Sequence, residues 1–232
     1  MSEPAPSPVV TVDGPSGSGK GTVSRAIARR TGWHLLDSGA LYRLVALAGV
    51  GAGLPADDVA AHAALARAMK VEFGSRADGE ELVRLDGRDA SGELRSEHAG
   101  AGASRVAAWP EVRTALLTRQ RAFARPPGLV ADGRDMGTVV FPRAPLKIFL
   151  TATPEERALR RYKQLKDKGS DVSLPALSRE IAERDLRDQT RQVAPLRPAP
   201  DAEVIDSTGL SVEAVVARVM ELLAARRLWP RA

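Results

Sequence analysis

Val9-Val10-Thr11-Val12-Asp13 runs straight into Gly14-Pro15-Ser16-Gly17-Ser18-Gly19-Lys20-Gly21-Thr22, and the chain then carries Val23 and Ile27 four apart before reaching Gly32. The β-branched run reads as a buried strand, the four-residue spacing as a helix from Lys20 to Thr31, and Gly32 as the residue that ends it. Strand, glycine-rich turn and helix N-terminus in this order make a phosphate-binding loop. Glycines let successive backbone N–H groups turn toward one anion where any Cβ would intrude. Lys20 adds a full positive charge at the β/γ-phosphates, and the helix dipole favours the same anion. The competing reading, an ordinary Gly/Ser turn, accounts for neither the register of Lys20 nor the flanking elements.

Working outward, four more short apolar runs read as buried strands: residues 34–36, 129–131, 146–150 and 203–205. Helical patterns lie between and after them. Residues 111–124 follow Pro110 and place Leu116, Leu117 and Phe123 toward one side. Thr153-Pro154-Glu155-Glu156 has capping-box spacing with proline at the first helical position. Ser211 opens a last helix whose Val212, Val215, Val216, Val219, Leu222 and Leu223 form a wide apolar stripe for core packing. Strands alternating with helices mean βαβ units and a mainly parallel sheet. Residues 71–94 break that rhythm and read as short strands joined by Asp-Gly and Ser-Gly turns, a small antiparallel insert. Lys166-Asp167-Lys168-Gly169-Ser170-Asp171, polar and glycine-bearing between two helices, suits a mobile flap.

Composition narrows the function. Of 232 residues, 44% are hydrophobic and 27% charged, which sets aside disordered and fibrous classes. No apolar run approaches the ~18 residues of a membrane span. The absence of cysteine removes disulfides, thiolate zinc sites and cysteine nucleophiles, and His34, His62 and His98 lack ligand spacing. The opening MSEPAPSPVV has no basic region ahead of an apolar stretch, so no secretory leader is expected and the cytoplasm is the expected compartment. A net charge of +5 admits nucleic acid, phosphate-bearing small molecules or anionic membranes as partners. The arginines fall at strand ends without aromatic interleaving, which favours the small molecules.

The hydroxyl that usually follows the loop lysine is displaced, with Gly21 in its place and Thr22 next. The chain also contains no asparagine, which guanine-reading GTPases need. A GTPase is therefore set aside. Asp37-Ser38-Gly39-Ala40-Leu41-Tyr42-Arg43 follows the second strand, and Asp132-Gly133-Arg134-Asp135 follows the third. Ligands of open parallel sheets bind at the carboxyl ends of strands. Arg43 or Arg134 alone would read as a surface ion pair, but their shared placement favours a ligand. Arg184, Asp188 and Arg191, spaced four and three, share one helical face with Ile181 near its edge. Arg157, Arg160 and Arg161 crowd a single turn, where Arg157 and Arg161 read as a solvated face and Arg160 stays open between that and a ligand role. Tyr42 is divided between packing and a substrate role, Asp13 reads as a brace for the loop, and Trp33 and Trp109 as packing.

Taken in order, GPSGSGKGT, LLDSGALYR, ADGRDMGTVVFP and ERDLRDQTR resemble the bacterial cytidylate kinases, from about Val9 to the final helix and including the antiparallel insert. The GKGT form of the loop is usual among nucleoside monophosphate kinases. The resemblance implies an α/β, three-layer P-loop NTPase fold with a five-stranded parallel sheet, a monophosphate-binding insert bearing a small antiparallel sheet, and a mobile helical lid. It implies a core at 1–38, 108–153 and 175–232, a monophosphate-binding domain at 39–107 and a lid at 154–174. The implied reaction is ATP + CMP ⇌ ADP + CDP, with dCMP as second acceptor and Mg²⁺ bridging the ATP phosphates, its direct ligands unassigned.

Carried over by position, Gly14, Pro15, Ser16, Gly17, Ser18, Gly19, Lys20, Gly21 and Thr22 hold the ATP phosphates. Arg43 and Arg134 grip the acceptor phosphate, with Ser38, Tyr42 and Asp132 in the acceptor set. Arg160 reaches the transferred group from the lid, so that Lys20, Arg134 and Arg160 are the implied catalytic residues. Arg184 and Asp188 bind the ribose hydroxyls, and Arg191 sits beside the phosphates. Ser104, Arg113 and Asp135 read the base, a carboxylate accepting from the exocyclic amine of cytosine while arginine donates to its O2/N3 edge. The resemblance further implies a monomer whose partners are CMP and dCMP, with no nucleic acid and no membrane. Alternatives are a kinase of UMP or dTMP on the same scaffold and a nucleic-acid-binding ATPase.

Overall fold

The apolar run at the start of the chain forms β1 (Val9–Asp13), all five residues buried. The computed structural model describes residues 7–76, 81–167 and 169–229. After β1 come α1 (Lys20–Thr31), β2 (His34–Asp37), α2 (Ser38–Gly51) and α3 (Val59–Ala68). Three short strands follow, β3 (Val71–Ser75), β4 (Glu81–Leu85) and β5 (Arg88–Asp89), then α4 (Ser91–Leu94), α5 (Glu97–Val106) and α6 (Pro110–Arg121). The chain continues through β6 (Leu129–Gly133), a π turn at Met136–Val140, β7 (Leu146–Thr151), α7 (Pro154–Lys166), α8 (Leu174–Thr190), β8 (Glu203–Asp206) and α9 (Val212–Ala225). Among the described residues no helix is long and apolar enough to cross a membrane.

Two units result. One runs to Asp37 and resumes at Arg121; the other is Ser38–Gln120. The first holds five parallel strands in the order β2-β6-β1-β7-β8, as the alternation of strands and helices predicts. β1 lies in the centre, so the loop that follows it is flanked by the ends of β6 and β7. Val10, Val12, Val130, Leu146, Ile148 and Leu150 face Val23 and Ile27 of α1 and Val215, Val216, Val219 and Leu223 of α9 in one cluster. Burying each such aliphatic side chain contributes about 1.5–3 kcal/mol. Trp33 joins this core, edge-on to Trp229 at 6.3 Å between ring centroids, in the packing role its sequence context predicts. The predicted helix starts hold: Thr153 accepts from the Glu156 amide with Pro154 at N1, and Ser211 accepts from the Ala214 amide.

The second unit contains the antiparallel sheet β3-β4-β5. Asp86 (φ 50°) and Gly87 (φ 84°) make the tight turn between β4 and β5 that an Asp-Gly pair favours. Ser91-Gly92 departs from expectation: it starts the single turn of α4 rather than a strand turn, and the Ser91 hydroxyl accepts from the Val83 amide. The other Asp-Gly pair, Asp78-Gly79, lies outside the described residues, as does Lys168 of the polar segment between α7 and α8. Predicted for 111–124, α6 ends instead at Arg121. Its buried face is Val112, Arg113, Leu116 and Gln120, so neither Leu117 nor Phe123 is a core anchor.

Candidate functional site

The loop Gly14–Gly19 leaves β1 and enters α1 through Gly19, whose φ of 89° serves as the helix cap. Gly14 must lack a side chain, because a Cβ there would lie 2.0 Å from the Leu150 carbonyl oxygen of β7. Lys20, the first residue of α1, donates to the Pro15 carbonyl at 3.2 Å and so folds back over its own loop. Parallel register brings Asp37, Asp132 and Asp13 to adjoining strand ends, where Asp37 pairs with Asp132 and Asp13 with Gly133, and the first two act on Lys20.

Those placements set the charges. Withdrawal from water pulls the Lys20 ammonium down to about 7, with Arg134 and Arg184 pushing the same way and Asp132 and Asp37 opposing. Burial raises the Asp132 carboxyl to about 6, against the pull of Lys20. Asp13 is buried and pushed up to about 7, chiefly by desolvation, although its two oxygens accept from the Met136 and Gly137 amides at 2.8 Å each. Asp13 therefore braces the π turn that follows β6 rather than the glycine loop.

The end of β6 meets the end of α8. Arg134 Nε donates to Asp188 Oδ2 at 2.9 Å, both side chains largely withdrawn from solvent. Burial alone would raise Asp188, but Arg134, Arg184 and Arg191 outweigh it and hold the carboxyl below the usual range. Arg191, at the C-cap of α8, lies 3.9 Å from Asp135 and donates to the Ala194 carbonyl. The Asp188 carbonyl accepts from the Leu196 amide at 2.7 Å, so the chain folds back just beyond this cluster. Lys20, Asp132, Arg134, Asp135, Arg184, Asp188 and Arg191 thus form one charged group within the first unit.

Arg160 lies against the same loop. Its guanidinium donates to Glu156 at 2.8 Å, to the Ser18 carbonyl at 3.3 Å and to Ser207, whose hydroxyl and carbonyl are 2.9 and 2.6 Å away. Sequence reasoning missed Ser207, although the Asp206-Ser207-Thr208 run at a strand's carboxyl end is the signal that locates the other clusters. Arg157 corrects the sequence reading more sharply. It is 4% exposed and bound to the Ala152 and Ser16 carbonyls and to Asp185, the opposite of a solvated face.

The second unit carries Ser38, Tyr42, Arg43, Ser104 and Arg113. Ser38 and Tyr42 are buried on α2, and the Arg113 guanidinium stands over the Tyr42 ring, 5.8 Å from its centroid, while donating to the Ala107 carbonyl. Packing and a polar neighbour coexist at Tyr42. Arg43 donates to the Leu94 carbonyl. Ser104 lies on α5. Trp109 contacts the His62 ring edge-on at 5.3 Å.

Among the described residues no three metal-ligating side chains gather. Asp132 nonetheless suits a hard cation shared with a ligand: its Oδ1 is buried and accepts no hydrogen bond among the described residues.

A family model described as cytidylate kinase matches residues 10–225. The cytidylate kinase of Stutzerimonas stutzeri is 58% identical over 224 residues, covering 96% of this chain and 98% of that one. That of Methylococcus capsulatus is 59% identical over 209 residues, covering 90% and 93%, and that of Bordetella bronchiseptica 58% over 214 residues, covering 92% and 94%. An uncharacterized protein from Eubacterium ventriosum shares the fold, with a TM-score of 0.52 at 10% identity over 94% of this chain and 99% of that one.

Proposed function

The chain belongs to the cytidylate kinase family, and from that premise we propose that it moves the γ-phosphoryl group of ATP to CMP or dCMP by electrostatic stabilisation alone, without a general base. The acceptor needs none. A nucleotide phosphate with a second pKa of ~6 is already largely dianionic at neutral pH. The obstacle is repulsion between two polyanions, and the loose transition state of phosphoryl transfer is relieved by cations fixed around it. Lys20 with Arg134, Arg184 and Arg191 supplies them, and the Arg134–Asp188 pair keeps one guanidinium aimed before substrate arrives.

The single observation that carries this reading is that group of one ammonium and three guanidinium side chains gathered beside the glycine loop and interleaved with Asp37, Asp132, Asp135 and Asp188. Gly14 to Thr22 hold the donor phosphates. Mg²⁺ would be held by Asp132 together with phosphate oxygens, where it supplies charge neutralisation. Arg160 serves the transferred group as a catalytic residue, reaching it from the place against the loop where Ser207 and the Ser18 carbonyl accept its hydrogen bonds. Ser38, Tyr42 and Arg43 bind the acceptor, Arg184 and Asp188 its ribose, and Ser104, Arg113 and Asp135 its base. Residues 39–107 act as the monophosphate-binding domain and residues 154–174 as the lid. We place the activity in the cytoplasm, carried out by a monomer.

A coupled ADP-release assay across the eight ribo- and deoxyribonucleoside monophosphates tests the reading. CMP and dCMP should lead UMP and dTMP by at least ~100-fold in kcat/KM, because a carboxylate that accepts from the cytosine amine faces a carbonyl in uracil. Equal turnover of UMP or dTMP would overturn it.

A further inference from the structure

Arg157 is a buried charge without a part in the reaction as described so far. Its Nε donates to the Ala152 carbonyl at 3.1 Å, one terminal nitrogen to the Ser16 carbonyl at 3.0 Å, and the other pairs with Asp185 Oδ2 at 2.6 Å. Three acceptors on three segments are served by one rigid planar fork, a spread of donors that the compact ammonium of lysine does not reproduce. The loop lies directly on this residue: a Cβ at Gly17 would come 2.9 Å from the Arg157 Cβ.

A trans peptide carries its C=O and the following N–H on opposite sides. Holding the Ser16 carbonyl toward α7 therefore turns the Gly17 N–H away from α7. Two residues on, the Ser18 carbonyl is held in the same manner by Arg160 and by the Ser207 hydroxyl at 3.1 Å. Alternate carbonyls are tied down, and the N–H groups between them are left for an anion.

We propose that Arg157 is a positioning residue for the ATP phosphates: it fixes the Ser16–Gly17 peptide in its anion-binding orientation, and Asp185 aligns its guanidinium. The inference rests on Gly14 to Thr22 being the donor-phosphate loop. It also makes α8 a structural partner of that loop, since Asp185 adjoins Arg184.

Calorimetric titration of ADP and, separately, of CMP into the wild-type protein, Arg157→Lys and Asp185→Asn provides the test. Arg157→Lys keeps the charge but not the three-way fork, so ADP should bind about tenfold more weakly, the equilibrium equivalent of one lost hydrogen bond, while CMP affinity stays within twofold. Asp185→Asn keeps an acceptor and should weaken ADP about threefold with CMP again unchanged. ADP affinity within twofold of wild type in Arg157→Lys, or equal losses for ADP and CMP, would overturn the inference. Should Arg157→Lys fail to fold, Asp185→Asn decides by the same ratio of ADP to CMP affinity. A wild-type protein that binds no ADP would instead sink the assignment of the donor loop itself.

Discussion

Alanine at position 14 should disable the loop without altering any side chain that touches a phosphate. The new Cβ would sit 2.0 Å from the Leu150 carbonyl oxygen and 3.0 Å from its carbon. An unstrained carbon–oxygen contact is about 3.3 Å or more, so β1 and β7 must part by roughly 1 Å. Both offending atoms are backbone of β7, which pairs with β1, and no rotamer change relieves them. Backbone strain costs about 1–3 kcal/mol and overpacking about 1–3 kcal/mol more, together about 2–6 kcal/mol. For a chain of this length, roughly 2–4 °C per kcal/mol converts that to a fall in Tm of roughly 4–24 °C. Thermal unfolding followed by circular dichroism reads it, with the KM for ATP measured on the same protein. Gly21→Ala is the control, because its Cβ would meet side-chain atoms alone, an oxygen of Asp132 at 3.2 Å and the Arg25 guanidinium at 3.7 Å, and should cost far less. A Gly14→Ala protein melting within 2 °C of wild type, with an unchanged KM for ATP, would refute the reasoning.

Lys20, its ammonium pulled down to about 7, is partly neutral at pH 7.5; bound polyphosphate raises its pKa again, so ATP binding should take up protons there. Calorimetry in buffers of different ionisation enthalpy reads that uptake, and Lys20→Met should lose both the uptake and phosphoryl transfer. Asp135→Ala should narrow the preference for CMP over UMP by at least tenfold and leave the KM for ATP within threefold; an unchanged ratio would remove Asp135 from base recognition. ATP hydrolysis without acceptor should run below about 1% of the transfer rate, because in the proposed mechanism the lid brings Arg160 to the transferred group only when both substrates are bound. Fast acceptor-independent release of phosphate would contradict that role.

The parts of this molecule legible from sequence are those decided by local chemistry. Gly32, with φ 71°, ends α1 where the sequence places its stop. All five core strands lie where their apolar runs predict, yet each extends further at its carboxyl end, to Asp13, Asp37, Gly133, Thr151 and Asp206. Apolar patterning stops short there because those last residues are polar or glycine, placed where each strand passes into the loop that follows it. Arg157 was not legible for a different reason: its burial depends on the Ser16 carbonyl, 141 positions away, and no helical periodicity announces that partner. On α6 the buried positions include Arg113 and Gln120, so a search for apolar spacing finds Leu116 but adds Leu117 and Phe123 and misses the two polar residues. Polar residues recruited inward by tertiary partners are the common factor in these misses.

The most direct measurement is the affinity of a bisubstrate ligand, adenosine and cytidine joined 5′ to 5′ through five phosphates. If Lys20 and the arginines beside the glycine loop hold donor and acceptor phosphates together, this ligand should bind at least ~100-fold more tightly than ATP, and Arg134→Met should remove most of that gain. An affinity within threefold of that for ATP, indifferent to Arg134, would contradict the joint site.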